Sequence, residues 1–346
     1  MKCLAAVALW LMILSVTALP SAGALTFTPA SGFVATEVWS GADAAHFAMY
    51  GGNLYIYGSQ QAGVDQYQNV VRVFDGTSTT EVGRSPVFGP AAYSADSITV
   101  ANGEVYWGHT RGFTETTVYK STQSGGGWST VAAVDAAQNV TVYSLSSNGD
   151  AVFGVAVDND TAGNEAFFLD GNNDEYQVFA GGLDDYSGGS GFDPSGDFFA
   201  GGYDATNYAA TMYRYSAQQV VDRLTGTQTT PYGSADAIDV YTLPSNASAV
   251  MESDGLVIYG SNYNATFTGT NPYWYDLNDG THGLLGELSG ADTAVATDLY
   301  YREGATYFLA KDSWATGAEA RIYRVTPEPM TLTLLLCGLA VVRRWR

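Results

Sequence analysis

Acidic and amide side chains recur at one kind of position in six places. They are Asp43 in Gly41-Ala42-Asp43, Asp96 in Ser94-Ala95-Asp96, Asn139 after Gln138, Asp185 after Asp184, Asp236 in Ser234-Ala235-Asp236, and Asp292 in Gly290-Ala291-Asp292. Each stands a few residues ahead of a short apolar run. Oxygen side chains converging from six such places would hold a hard cation such as calcium, or accept hydrogen bonds from sugar hydroxyls. The same residue types also cap turns, because Asp and Asn accept from backbone amides two residues on. Six carboxylates in one ring would repel one another. Turn capping is therefore the preferred reading of the six, and a ligand or cation ring is the alternative.

Asp158-Asn159-Asp160-Thr161-Ala162-Gly163 alternates oxygen side chains and places Gly sixth, like the start of a calcium loop. The fifth position is Ala162, however. The twelfth, where a bidentate Glu belongs, is Leu169. An ordinary hairpin loop fits better, with Asp158 and Asp160 as weak metal candidates. The three histidines, His46, His109 and His282, lie far apart and show no zinc-ligand spacing. No Gly-x-Ser-x-Gly elbow and no phosphate loop occur. A pair of carboxylates working on a glycosidic bond remains open, since there are 35 acids whose spatial pairing the sequence does not show. The chain also holds 24 Tyr, 15 Phe and 7 Trp. Strand aromatics are expected to pack between structural units. Tyr67, Phe113, Tyr203, Tyr208, Tyr263, Phe267 and Trp314 fall in loops and are the better candidates for contact with sugar faces.

These side chains need a scaffold, and composition bounds it. The chain has 346 residues, 46% hydrophobic, with 40 glycines and a net charge of −21. It is too apolar for disorder and long enough for one large domain. Its acidity argues against nucleic acid, which asks for a basic stripe, and against anionic membrane surfaces.

A turn ending in Gly, followed by an apolar or aromatic strand, recurs six times, beginning at Gly52, Gly103, Gly149, Gly196, Gly255 and Gly304. The spacings are 51, 46, 47, 59 and 49 residues. A second strand follows in each copy: Val70–Phe74, Thr116–Tyr119, Ala166–Leu169, Thr211–Tyr215, Tyr273–Leu277 and Ala320–Val325. A period near 50 with several short strands per copy predicts a β-propeller. Two β-sandwiches are the runner-up. Six blades of four strands are expected, with seven as the alternative, and no helix is expected in the body. The unclaimed strand Phe33–Trp39 is expected to supply the outer strand of the last blade and close the ring. Phe192-Asp193-Pro194-Ser195-Gly196-Asp197-Phe198-Phe199-Ala200 resembles an NHL-type blade, and Gly51-Gly52 and Gly201-Gly202 resemble the kelch glycine pair. Both resemblances imply a propeller used chiefly for binding.

The two ends read as addresses. Residues 1–24 have Lys2, an apolar run from Leu4 to Val16 and the small-residue site Ala22-Gly23-Ala24, as in a secretory signal peptide. Residues 326–346 carry Pro327-Glu328-Pro329, then 13 apolar residues from Met330 to Val342, then Arg343-Arg344-Trp345-Arg346. That run is short for a membrane span, which needs about 20 residues. The three features in this order resemble the PEP-CTERM sorting signal of Gram-negative bacteria. The resemblance implies export through the inner membrane and processing by an exosortase-type enzyme. Pro327, Glu328 and Pro329 would be its recognition residues, and the membrane would be met only through the C-terminal helix. A plain tail anchor is the alternative. Cys3 and Cys337 both lie in these ends, so the body, 25–325, carries no thiol chemistry. Without Lys2, Arg343, Arg344 and Arg346, ten basic residues face 35 acidic ones, a net charge of −25.

The expectation is a non-enzymatic propeller at the cell surface or in the extracellular matrix, binding an extracellular polysaccharide or serving a structural role. Calcium is the one cofactor considered. The alternative is a secreted glycoside hydrolase or polysaccharide lyase using channel-mouth carboxylates.

Overall fold

Glycine-centred turns reverse the chain between runs of Val, Tyr, Phe and Thr, so each repeat folds back on itself as an antiparallel meander. The computed structural model describes residues 25–87, 97–111, 115–122, 129–131, 140–158, 160, 163–170, 174–184, 186–204, 209–244, 247–253, 255, 257–264, 268–290, 293–313 and 317–328. They form six blades around a central axis. From the innermost strand outward, blade 1 is His46–Tyr50, Asn53–Gly63, Gln66–Phe74 and Thr79–Arg84. Blade 2 is Ile98–Ala101, Glu104–Arg111, Glu115–Thr122 and Ser129–Val131. Blade 3 is Val140–Ser147, Val152–Asp158, Gly163–Leu169 and Tyr176–Gly181. Blade 4 is Tyr186–Phe192, Phe198–Asp204, Ala209–Tyr215 and Asp239–Thr242. Blade 5 is Ala247–Ser253, Val257–Tyr263, Thr270–Asp276 and His282–Leu284. Blade 6 takes Val295–Arg302, Ala305–Lys311 and Glu319–Pro327 from the end of the repeat and Phe33–Ala42 from its start.

That last pairing closes the ring as expected, running antiparallel from Phe33 opposite Pro327 to Ala42 opposite Glu319. A further strand, Thr26–Pro29, pairs with Gly286–Ser289 between blades 5 and 6 and buries Leu25.

The innermost hairpins turn tightly. Gly51-Gly52, Asn102-Gly103 and Glu303-Gly304 all have positive φ at both positions, the conformation whose twist matches the flanking strands. The chain leading into the innermost strand of blade 1 then crosses close over the second strand of that blade. A Cβ on Gly58 would lie 1.3 Å from the Asp43 carbonyl oxygen, so only glycine fits there.

The core is six apolar clusters, one at each seam between neighbouring blades. Tyr55, Tyr57 and Val71 meet Ile98 and Trp107 across seam 1–2, and Trp39 and Ile322 meet Phe47 and Ile56 across seam 6–1. Small hydroxyls pin the same seams. Leu145 N donates to Ser97 Oγ at 2.6 Å between blades 2 and 3. Ser261 Oγ donates to Ala296 O at 2.8 Å between blades 5 and 6. Each such bond contributes about 1 kcal/mol.

One element departs from the expectation of an all-strand body. Between the third and outermost strands of blade 4 the chain forms helix α1, Ala217–Leu224. Ser216 Oγ accepts from Gln219 N, and Gln219 Oε1 accepts from Ser216 N, a reciprocal capping box. Val220 and Arg223 face inward. No helix among the described residues is long and apolar enough to cross a membrane. Residues 1–24 and 329–346, including Pro329, lie outside the described residues.

Candidate functional site

The innermost strands all begin on one face of the ring (the start face) and end on the other (the end face). Five of them deliver their last residues to a concavity of about 510 Å³ on the axis at the end face. Blade 1 brings Met49 and Tyr50, blade 2 Thr99 and Val100, blade 3 Ser146, Ser147 and Asn148, blade 4 Phe192, and blade 6 Tyr300, Tyr301, Arg302 and Glu303. Tyr50 is 37% exposed, which leaves a ring available at the rim. Tyr301 stacks on Tyr259 of blade 5, centroids 5.5 Å apart and planes 6° from parallel. The stack fixes Tyr301 as a rigid wall.

The chemistry of this mouth is hydroxyl, amide and aromatic. Its charged side chains are Arg302, Glu303 and Asp193. Asp193 is committed to the fold. Its Oδ1 accepts from Ser195 N at 2.8 Å and Asp197 N at 3.0 Å, and its Oδ2 accepts from Arg214 Nη2 at 3.2 Å. Arg214 also bonds Asp197 and lies over the Phe199 ring at 5.4 Å. The Asp-Pro-Ser-Gly-Asp stretch that resembles an NHL-type blade is thus a turn locked by an arginine from the third strand of blade 4. Arg302 and Glu303 balance each other, so the mouth carries little net charge in a strongly acidic protein.

Glu303 itself is strained. It sits at φ 52°, where blade 1 has Gly51 and blade 2 has Asn102. A Glu in that conformation costs about 1 kcal/mol relative to glycine, and strained positions cluster at ligand sites.

The six residues expected to ring the channel do not come together among the described residues. Asp43 stands on the start face, three residues ahead of the innermost strand of blade 1, at φ 60°. Asp236 does not precede an innermost strand. It ends a 3-10 turn, Ser234–Asp236, ahead of the outermost strand of blade 4, and its Oδ2 accepts from Gly233 N at 2.7 Å. The 59-residue spacing of that repeat hides the helical insertion, and the insertion displaces Asp236 from the position the repeat assigned. Asp96, Asn139, Asp185 and Asp292 lie outside the described residues.

Asp158 and Asp160 share a hairpin turn, where Asp158 Oδ1 accepts from Asp160 N at 2.9 Å. Among the described residues no group of His, Cys, Asp or Glu is arranged to hold a metal ion. Pro327 ends the third strand of blade 6, and Glu328 N donates to Gly32 O at 2.7 Å. Of the loop aromatics, Tyr67 and Tyr263 fall within strands of blades 1 and 5, and Tyr203 within blade 4. Phe113, Tyr208, Phe267 and Trp314 lie outside the described residues.

The mouth residues escaped sequence reasoning because they belong to the ends of strands, where the repeat looks most regular. One signal was available at Glu303: the residue before the repeat glycine is Gly51, Asn102, Asn148, Ser195 or Asp254 in the other copies, and the longer Glu stands here.

Fold and mouth define the class: a six-bladed β-propeller with a polar, aromatic-walled concavity at one end of its axis. No protein-family model matches the chain, and no curated protein matches it. Solved structures do share its fold. The SapL1 lectin, in complex with alpha methyl fucoside, is 10% identical with a TM-score of 0.52, over 81% of this chain and 92% of that one. A glucose dehydrogenase is 10% identical with a TM-score of 0.51, over 84% and 98%. TolB from Acinetobacter baumannii is 12% identical with a TM-score of 0.46, and this chain spans 63% of its length. At these identities the likeness is one of fold.

Proposed function

We propose that the protein is an exported, surface-associated propeller that binds an extracellular polysaccharide at its end-face mouth without transforming it. The observation that carries this reading is the mouth itself. It combines an exposed Tyr50, a Tyr301 stacked on Tyr259, the Ser147 and Asn148 polar groups and the opposite charges of Arg302 and Glu303 in about 510 Å³. Rings that stack on sugar faces, with a few polar groups to orient them, are what a carbohydrate site requires. Glycoside hydrolysis asks for two working carboxylates. Of the two at this mouth, Asp193 is held by two backbone amides and Arg214, which leaves Glu303 alone. A fold shared with both a lectin and a dehydrogenase decides nothing by itself, so the weight rests on the site.

Export rests on the residues of the two ends. The signal-like segment 1–24 and the Pro327-Glu328-Pro329 signal, which resembles PEP-CTERM, support secretion and processing by an exosortase-type enzyme, leaving the propeller in the envelope or matrix.

The test uses residues 25–328, which contain every strand of the closed ring, against a panel of polysaccharides, scoring retention and released products together. Retention without products, weakened at least tenfold by Tyr50→Ala, is expected. Export is tested by the mass of the C-terminus in a host that carries such an enzyme, with Glu328→Ala expected to block trimming.

A further inference from the structure

Val140 and Ser147 stand at opposite ends of one strand, the innermost strand of blade 3. Ser147 lines the end-face mouth. Val140 lines a second concavity, of about 440 Å³, on the start face. At 3.3 Å per residue the two ends are roughly 23 Å apart.

This second concavity exists because the blade 4 insertion leans over the outer edge of blade 3. Tyr232-Gly233 adds in parallel to Ala180-Gly181. Arg223, Thr229 and Pro231 then wall a space whose other side is Asp158, Asp160, Glu165 and Tyr176. The departure from the repeat thus builds a site-sized cavity.

Its two key groups are complementary but are not bonded to each other. Glu165 Oε1 accepts from Tyr176 Oη at 2.5 Å, while its Oε2 accepts from no described residue. Burial holds this carboxyl above the usual range, with the Tyr176 bond offsetting part of the shift. Arg223 is 7% exposed; its guanidinium donates to the carbonyls of Gln228 and Val178 and lies over the Phe168 ring at 5.5 Å, with no carboxylate bonded to it among the described residues. Its Nε has no hydrogen-bond partner among the described residues. A buried polar group without a partner costs about 1–3 kcal/mol, so its persistence asks for a reason.

A guanidinium only donates and a carboxylate only accepts. A ligand serving both must accept from one and donate to the other. A hydroxyl group does both, and neighbouring hydroxyls on a sugar ring do so at once. Three carboxylates oppose an anion, and no described group can hold a metal. We propose that the start-face concavity is a second sugar-binding site, with Glu165 and Arg223 reading a pair of hydroxyls. The protein would then be bivalent, one site on each face, and able to cross-link two polysaccharide chains. The bivalency rests on the end-face reading above; the start-face site does not.

The experiment is calorimetric titration of the full chain with glucose, galactose, mannose and fucose and with neutral oligosaccharides. Two equivalents per chain are expected. Glu165→Gln should remove one, weakening it at least tenfold, and Tyr50→Ala should remove the other. Gln177→Ala, on the same wall, is the second variant if Glu165→Gln does not fold. Binding that ignores both Glu165→Gln and Gln177→Ala, binding of an organic ammonium such as spermidine in place of sugars, or silence across the panel would overturn the start-face site. Loss on Glu165→Gln with no effect of Tyr50→Ala would leave that site standing and remove the end-face reading instead. Wild type should raise the viscosity of a polysaccharide solution, and either single variant should not.

Discussion

Asp298 reaches across the ring seam to His46. Its Oδ1 meets His46 Nδ1 at 2.8 Å, and its Oδ2 accepts from Phe47 N at 2.7 Å. Asp298 lies on the innermost strand of blade 6 at a register shift between Thr297 and Leu299. His46 and Phe47 lie on the innermost strand of blade 1. The bulge releases Asp298 from its own sheet and turns it onto the next blade. Together with the Phe33–Ala42 strand it holds the first and last blades to each other.

Asp298→Ala therefore removes two seam bonds and leaves the Phe47 amide unpaired beside a fully buried ring. The expected loss is about 1–3 kcal/mol in denaturant unfolding. Asp298→Asn keeps an oxygen for the Phe47 amide and should lose clearly less. Equal losses would mean that the amide bond is not what matters.

Gly58→Ala tests the crossing over the second strand. The added Cβ would fall 1.3 Å from the Asp43 carbonyl oxygen, a clash with backbone that cannot step aside cheaply. Gly149→Ala meets only open space at φ 99°, so its cost is conformational, about 1 kcal/mol. Gly58→Ala should cost several times more, as read by thermal unfolding.

Glu303→Asn should separate stability from function. Asn tolerates the left-handed conformation, as Asn102 does in blade 2. The variant should be about 0.5–1 kcal/mol more stable by denaturant unfolding. It should also bind the polysaccharide ligand more weakly, since the strained Glu303 stands at the mouth.

The acid at the start face gives a pH signature. Burial, with the nearby Asp158 charge adding to it, raises the Glu165 carboxyl above its ordinary value. A carboxyl raised on folding favours the folded state below its unfolded pKa, and that contribution is lost as pH rises through the folded value. At neutral pH the ionised Glu165 is thus a burden. Glu165→Gln should be more stable than wild type at pH 7, and the gap should close as pH falls towards about 4. A gap independent of pH would contradict the assignment.

Much of the fold was legible because each repeat carries its own punctuation. The glycines at 52, 103, 149, 196, 255 and 304 mark the turns into the second strands, and Phe33–Trp39 was left over where a closing strand was needed. Helix α1 was missed, although Ser216 and Gln219 have capping-box spacing and the 59-residue interval left room for an insertion. Placing Asp236 ahead of an innermost strand leaves no room in the repeat for the insertion that holds α1. The site was less legible for a different reason. Of the repeating Asp residues, Asp236 caps a local turn through Gly233 N, and Asp43 stands on the start face in the left-handed conformation. The concavity lies at the strand ends, where Tyr50, Ser147 and Tyr301 share no motif and meet only through the closure of the ring.

Retention on a polysaccharide panel with simultaneous assay of released products tests the central claim most directly, using wild type and Tyr50→Ala side by side. The account predicts retention of wild type on at least one polymer, no product release, and at least tenfold weaker retention of Tyr50→Ala. Product release by wild type, or retention unchanged by Tyr50→Ala, would contradict it.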